Sequence, residues 1–577
     1  MKYISKLLIL STLFLGSCDI LDKDIDTNLD KDDIFTDERF AQGFLNSTYR
    51  ELINGFNRLD HAMFACASDE AICSYSGSAV HSYNNGAITP FYNPEEEIWK
   101  TMYAGIRKTN MFLQELETTI KEAGLIDKNE QTKATYKRMK GEALFLRAFY
   151  HFELAKRFSN IQLVDKVLTE EEAKTIKQST FAKAIEFIVR DCENATTYLD
   201  DFKKESADYG RATQLSALAL KSRALLYLAS KLNNPDEDKQ LWKDAADAAK
   251  EIMDIQVKNP SQVGLLSAYY SVFTTPYNIE ILFATSSDNS NEVELYNNPI
   301  SYGGKGYTNP TQELVDAYET TKGYPIDDPR SGYDPENPYK GRDPRMEYSV
   351  AYNGLKFSGT PIETFVGGKD GLNKTPTATK TGYYMRKFID QNLDLSKDQK
   401  RRRPWILFRY AEILLNYAEA MNEYLDAPDQ SIYDAVNLIR KRAKIPQLNI
   451  RMNLSKEEMR ARIRNERRVE LAFEEHRFWD VRRWEEGQTY FNQPIHGMRI
   501  TMENEKASYE TFVVEERVFE PKMNYYPIPQ SELQKNSKLD QNHFLLEPVS
   551  IENLHNNRNT RNFWCKIKGK GYWSACG

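Results

Sequence analysis

Two stretches of this chain combine tyrosine with asparagine and hydroxyl side chains. One runs Ser74-Tyr-Ser-Gly-Ser-Ala-Val-His-Ser-Tyr-Asn-Asn-Gly86, and the other holds Tyr296, Asn297, Asn298, Tyr302 and Tyr307. A flat apolar ring beside amides and hydroxyls suits a ligand with one C–H face and a polar rim, which is how a pyranose is built. The candidate ligand contacts are therefore Asp69, Tyr75, His81, Tyr83, Asn84, Asn85, Phe91 and Tyr92, together with Tyr296, Asn297, Asn298, Tyr302 and Tyr307. Taken singly, each aromatic has a competing role as packing under its own loop, because aromatic side chains are highly buried on average. Taken together, the two stretches point to a site.

Catalytic chemistry finds less support. The chain contains no Gly-x-Ser-x-Gly, no His-Glu-x-x-His and no Walker loop. His81 and His151 have no partner spacing that marks metal or acid–base work, so no catalytic residue, metal ligand or cofactor is assigned. The carboxylate pair of a glycoside hydrolase leaves no sequence signature, so that activity stays an alternative. Cys66 and Cys73 are flanked by His61 and His81, but the spacing matches no zinc pattern. A disulfide and a pair of buried thiols both remain open.

The elements that must position these residues are mostly helical. Steps of three and four between apolar residues predict helices within 133–158, 211–232 and 405–424. Further helices are expected over 38–53, 95–117, 181–199, 240–255, 432–443 and 456–484. Small residues alternate with large ones in Leu146-Arg-Ala-Phe-Tyr-His-Phe-Glu-Leu-Ala155, in Ser222-Arg-Ala-Leu-Leu-Tyr-Leu-Ala229 and in Tyr410-Ala-Glu-Ile-Leu-Leu-Asn-Tyr-Ala-Glu-Ala420. That pattern lets neighbouring helices approach closely, as in tetratricopeptide-like pairs. Trp99 falls on a helical face with Tyr103 and Ile106, which favours packing over ligand stacking. In 456–484, Arg and Glu at spacings of three and four are expected to pair along a helix surface. Periodicity fades over 57–94 and 259–403, where Gly, Pro, Asn, Asp and Tyr dominate. Long irregular segments of this kind are often functional.

The whole chain has 577 residues, 41% of them hydrophobic and 12% aromatic, with a net charge of −7. That is enough apolar content for a sizeable core, and the acidic balance excludes a general nucleic-acid binder. The N-terminus is an address. Met1-Lys-Tyr-Ile-Ser-Lys6 is basic, Leu7–Leu15 is mostly apolar, and Leu15-Gly16-Ser17-Cys18 follows. A spanning helix needs about 20 apolar residues, so the run reads as a signal peptide of residues 1–17. Leu15-Gly-Ser-Cys18 resembles a lipobox, which makes Cys18 the acylated residue and the lipid the membrane anchor. The acidic stretch after it, over 18–35, reads as a tether.

Six motifs in order then resemble the SusD/RagB family of surface nutrient-uptake lipoproteins: Cys18-Asp-Ile-Leu-Asp22, Trp99-Lys-Thr-Met-Tyr-Ala-Gly-Ile-Arg-Lys-Thr-Asn110, Gly141-Glu-Ala-Leu-Phe-Leu-Arg-Ala-Phe-Tyr150, Phe408-Arg-Tyr-Ala-Glu-Ile-Leu-Leu-Asn-Tyr-Ala-Glu419, Asn465-Glu-Arg-Arg-Val-Glu-Leu-Ala-Phe-Glu-Glu-His-Arg-Phe-Trp-Asp480, and Tyr526-Pro-Ile-Pro-Gln-Ser-Glu532 with Leu539-Asp-Gln-Asn542. The resemblance implies a mostly α fold, a tetratricopeptide-like helix-pair scaffold with long irregular loops and few short strands, formed as one domain over 36–543. It implies a non-enzymatic, surface-exposed outer-membrane lipoprotein. Such a protein captures an oligosaccharide and acts as the lid of a SusC-like TonB-dependent transporter. Capture of a peptide or glycopeptide shares the fold and stays an alternative. The chain departs from the family at its end: His543 replaces the usual Pro, and residues 544–577 form an atypical tail expected to be poorly packed.

Overall fold

The computed structural model describes residues 31–122, 129–200, 209–276, 278–286 and 288–542. The leader, Cys18 and the tail from 543 onward lie outside the described residues. Ten helices of at least eight residues carry the scaffold: α1 (Glu38–Tyr49), α2 (Glu96–Glu122), α3 (Glu130–Phe158), α4 (Phe181–Thr196), α5 (Gln214–Ala229), α6 (Lys239–Lys258), α7 (Tyr410–Tyr424), α8 (Gln430–Ala443), α9 (Lys456–Glu470) and α10 (His476–Arg483). Their starts follow from capping chemistry. Asn129, Thr180, Thr213, Asp238, Asp429 and Ser455 each accept a first-turn N–H through a side-chain oxygen. Ser455 and Glu458 close a reciprocal capping box.

From α2 to α6 each helix packs on the next, and α7 then packs on α6, α8 and α9. The small-and-large alternation explains the closeness. Gly105 lies against the Tyr150 ring, where an added Cβ would sit 2.6 Å from it. The segment 141–155 of α3 is buried on every face. Its polar groups are therefore satisfied internally: Arg147 forks onto Asp191 at 2.7 and 2.9 Å, and His151 sits between Arg147 O and Val164 N–H. Trp99 is buried, edge-on to Phe158.

Three expectations need correction. The stretch 456–484 is two helices, α9 and α10, because Phe473 (φ 64°) and Glu475 (φ 65°) turn the chain in the left-handed region. Within 466–480 most of the charges are buried and pair with other segments, as set out below. The packed domain also starts before residue 36: Lys31–Thr36 is helical and Phe35 is buried against Phe44 and Phe112. An antiparallel hairpin joins Ile495–Glu503 to Lys506–Glu515. Asn504 and Glu505, both at positive φ, form its turn.

The two loop regions are rooted by buried ion pairs that converge on the segment 466–480. Arg345 contacts Glu466 at 2.6 Å and Glu470 at 3.0 Å. Arg409 reaches Glu280 at 2.9 Å, Glu470 at 2.7 Å and Glu474 at 2.6 Å, and Lys387 meets Glu474 at 2.6 Å. From the first loop region, Asp69 takes a fork from Arg477 at 2.8 and 2.9 Å and a contact from Arg468 at 2.8 Å. Burial alone would raise the Glu470 carboxyl, but the guanidiniums of Arg442, Arg409 and Arg345 outweigh it and hold it well below the carboxylate range.

Candidate functional site

Strand β1 (Ala71–Cys73) pairs antiparallel with a strand from the second loop region, Thr308–Pro310, in the register Cys73↔Thr308. The pairing continues one step further, where Ser74 N–H donates to Tyr307 O at 2.9 Å. Tyr75 therefore lies beside Tyr307, and their rings stack at 5.2 Å with 13° between planes. In the second loop region the short helix Glu292–Asn297 carries Tyr296, and Tyr307 N–H donates to Tyr296 O at 2.8 Å. Those two rings stack at 5.7 Å. His61 then lies flat on Tyr296 at 4.0 Å and 8°.

The result is a continuous run of four rings, His61, Tyr296, Tyr307 and Tyr75, assembled from both loop regions. Its two ends, His61 and Tyr75, are exposed, while Tyr307 is buried between them. The His61 end is held in a two-residue turn. Asp60 and His61 have φ of 48° and 69°, and Leu59 and Ala62 exchange backbone hydrogen bonds across them. Asp60 accepts Ala79 N–H at 2.7 Å and Ser78 donates to Leu59 O at 3.1 Å, which ties the turn to the segment beneath. Lys305 Nζ lies 4.8 Å from the Tyr296 centroid and 5.9 Å from that of Tyr307.

The other candidates separate into distinct roles. His81 supports the Tyr75 end, with Nε2 3.0 Å from Tyr75 O. Tyr302 is half-buried, donates to Thr360 O and packs on Phe357. Phe91 and Tyr92 are 79% and 47% exposed on a separate turn, and Asn85 is exposed near them. Five expected contacts are buried. Asp69 is 2% exposed and its carboxylate is held by Arg477. Tyr83 is buried and donates to Glu95 at 3.0 Å. Asn84 donates to Cys66 O at 2.9 Å, Asn297 to Asn57 at 2.9 Å, and Asn298 is buried. Cys66 and Cys73 are free, buried thiols, and burial pushes the Cys73 thiol up to about 11.

Two residues at the run of rings carry no candidate status from sequence, His61 and Lys305. The signal for Lys305 is the local sequence Gly303-Gly-Lys-Gly306. Among the described residues, no cluster of three or more His, Cys, Asp or Glu is arranged for a metal ion. A cleft of about 940 Å³ between α2 and the segments 162–176 and 532–539 contains none of the residues of the run. No helix among the described residues is long and apolar enough to cross a membrane.

A rigid stack of helix pairs that presents an aromatic run on irregular loops defines a binding protein. The comparisons identify the class. The family described as the SusD family matches residues 269–544, and that described as "Starch-binding associating with outer membrane" matches residues 19–228. A SusD-like protein of Bacteroides fragilis superposes with a TM-score of 0.74 at 28% identity, over 88% of this chain and 98% of that one. A SusD-like carbohydrate binding protein of the same species gives 0.74 at 28%, over 88% and 100%. SusD-like protein P2 of Formosa agariphila is 26% identical over 426 residues, 71% of this chain and 74% of the relative. The chain is matched by SusD-family models over residues 19–228 and 269–544, and its mostly helical fold is that of the SusD-like solved structures.

Proposed function

We propose that this protein captures an oligosaccharide at the outer membrane on the run His61–Tyr296–Tyr307–Tyr75, without cleaving it. The observation that carries this reading is the run itself: four rings in contact, contributed by two loop regions and exposed at both ends. A pyranose C–H face stacks on such rings, and the hydroxyls find donors and acceptors in the surrounding loops. The described carbohydrate-binding relative and the starch-binding description of the family support the ligand class. The cell-surface setting rests on the leader: Cys18, once acylated, anchors the protein to the membrane, and the captured glycan passes to a SusC-like TonB-dependent transporter. The packed residues from Lys31 to Asn542 act as one domain.

The experiment is a glycan array probed with wild type and with Tyr296→Ala. Retention of a glycan by wild type, loss in the variant and no new reducing ends on incubation are expected. Binding unaffected by Tyr296→Ala, or shortened products, would overturn the reading. Separately, Cys18→Ala is expected to release the protein from membrane fractions, and retention there would refute the anchor.

A further inference from the structure

We infer that the glycan is anionic, with a carboxylate or sulfate group that meets Lys305. This inference rests on the ring run as the binding site. Lys305 is exposed and stands over two of the four rings, at 4.8 Å from Tyr296 and 5.9 Å from Tyr307. Its position is imposed by the backbone. Lys305 N–H donates to Leu295 O at 2.9 Å, immediately before Tyr296. Gly304 passes so close to Asn298 that an added Cβ would lie 2.2 Å from its carbonyl oxygen. Gly306 has φ 62°, and an added Cβ would lie 2.5 Å from the Tyr384 ring. The glycines let the loop fold tightly, so lysine is the long side chain that this turn presents.

The cation is also left without an acid. Among the described residues, no carboxylate lies within ion-pair distance of Lys305 Nζ, and three carboxylates of the adjoining loops, Asp60, Asp370 and Glu294, are engaged elsewhere. Asp60, next to His61, accepts Ala79 N–H at 2.7 Å. Asp370 accepts both the N–H and the hydroxyl of Ser301 at 2.8 Å. Glu294, on the helix of Tyr296, holds Arg403 at 2.6 Å and Asp390 N–H at 2.8 Å. A sugar stacked on His61 lies against the ring next to Tyr296, the ring that Lys305 covers at 4.8 Å. A neutral hydroxyl gains a hydrogen bond from the ammonium there, while a carboxylate or sulfate gains that bond and the attraction of opposite charges.

The test uses the full-length protein and an array holding both neutral oligosaccharides and uronate- or sulfate-bearing ones, followed by titration of the retained glycans at low and high salt. Wild type is expected to retain the anionic set. Lys305→Gln is expected to weaken it about tenfold, the size of one charge-assisted hydrogen bond, with Lys305→Arg keeping most of the affinity. Salt is expected to weaken wild type more than Lys305→Gln. Retention of neutral glycans alone, or anionic binding that Lys305→Gln leaves intact, overturns the inference. If that binding is still lost in Tyr296→Ala, the ring run stands as the site and only the ligand's charge is wrong. Retention of nothing, or binding indifferent to Tyr296→Ala, overturns both.

Discussion

The roots and the tips of the two loop regions are built from opposite chemistry. At the roots, Arg345, Lys387, Asp69 and Glu280 are buried and paired with the segment 466–480 and with Arg409. At the tips, His61 and Tyr75 are exposed and only stack. A buried charge is tolerable only with its partner in place, so the roots fix one geometry and resist change. A stacked exposed ring tolerates removal, so the tips are free to vary with the ligand. The contrast shows how one scaffold can hold loops rigidly and still offer a surface that is soft to substitution.

The contrast breaks most sharply at Arg409. Arg409→Ala removes a guanidinium that holds Glu280, Glu470 and Glu474, and leaves those carboxylates buried with less compensation. A loss of about 3–5 kcal/mol in chemical denaturation is expected, with little change in the ring run of the molecules that remain folded. A loss below about 1 kcal/mol would place the network at the surface level of importance.

The next effect is read with pH. Burial, and then the charge of Asp69, pushes the Glu70 carboxyl up to about 8. A carboxyl raised above its unfolded value of about 4.5 contributes stability that is fully present below that value and lost as pH rises through about 8. Wild type is therefore expected to lose stability across that window, and Glu70→Gln to flatten the decline. An identical slope in both proteins would remove Glu70 from the account.

A smaller effect separates root from tip within a single loop. Tyr83→Phe deletes the hydroxyl that donates to buried Glu95, at an expected cost of about 1.5–3 kcal/mol in unfolding free energy. Glycan affinity should stay unchanged. A weakened affinity with unaltered stability would return Tyr83 to the binding surface.

The scaffold was legible because its signals are local. Periodicity and caps over 130–158 or 214–229 act within a few residues, and the helices stand close to where those signals place them. The site was legible only in outline. Tyr75 and Tyr307 meet through a strand pairing that joins residues more than two hundred positions apart, and nothing in either loop encodes the partner's register. For the same reason Tyr83 and Tyr75, eight positions apart in similar surroundings, were indistinguishable, although one is core and the other exposed. The charged segment 466–480 reads locally as a solvated helix. Segments distant in sequence bury it, returning over it from 69, 280, 345, 387 and 442.

The account's central claim is that the exposed ends of the ring run bind the glycan. The direct measurement is calorimetric titration of an array-retained glycan into wild type and into His61→Gly/Tyr75→Ala. Glycine keeps the positive φ at position 61 while removing the ring. The expected result is an affinity at least about a hundredfold weaker, some 2.8 kcal/mol or more, with Tm shifted by no more than about 4 °C. Unchanged affinity in the double variant would contradict the claim.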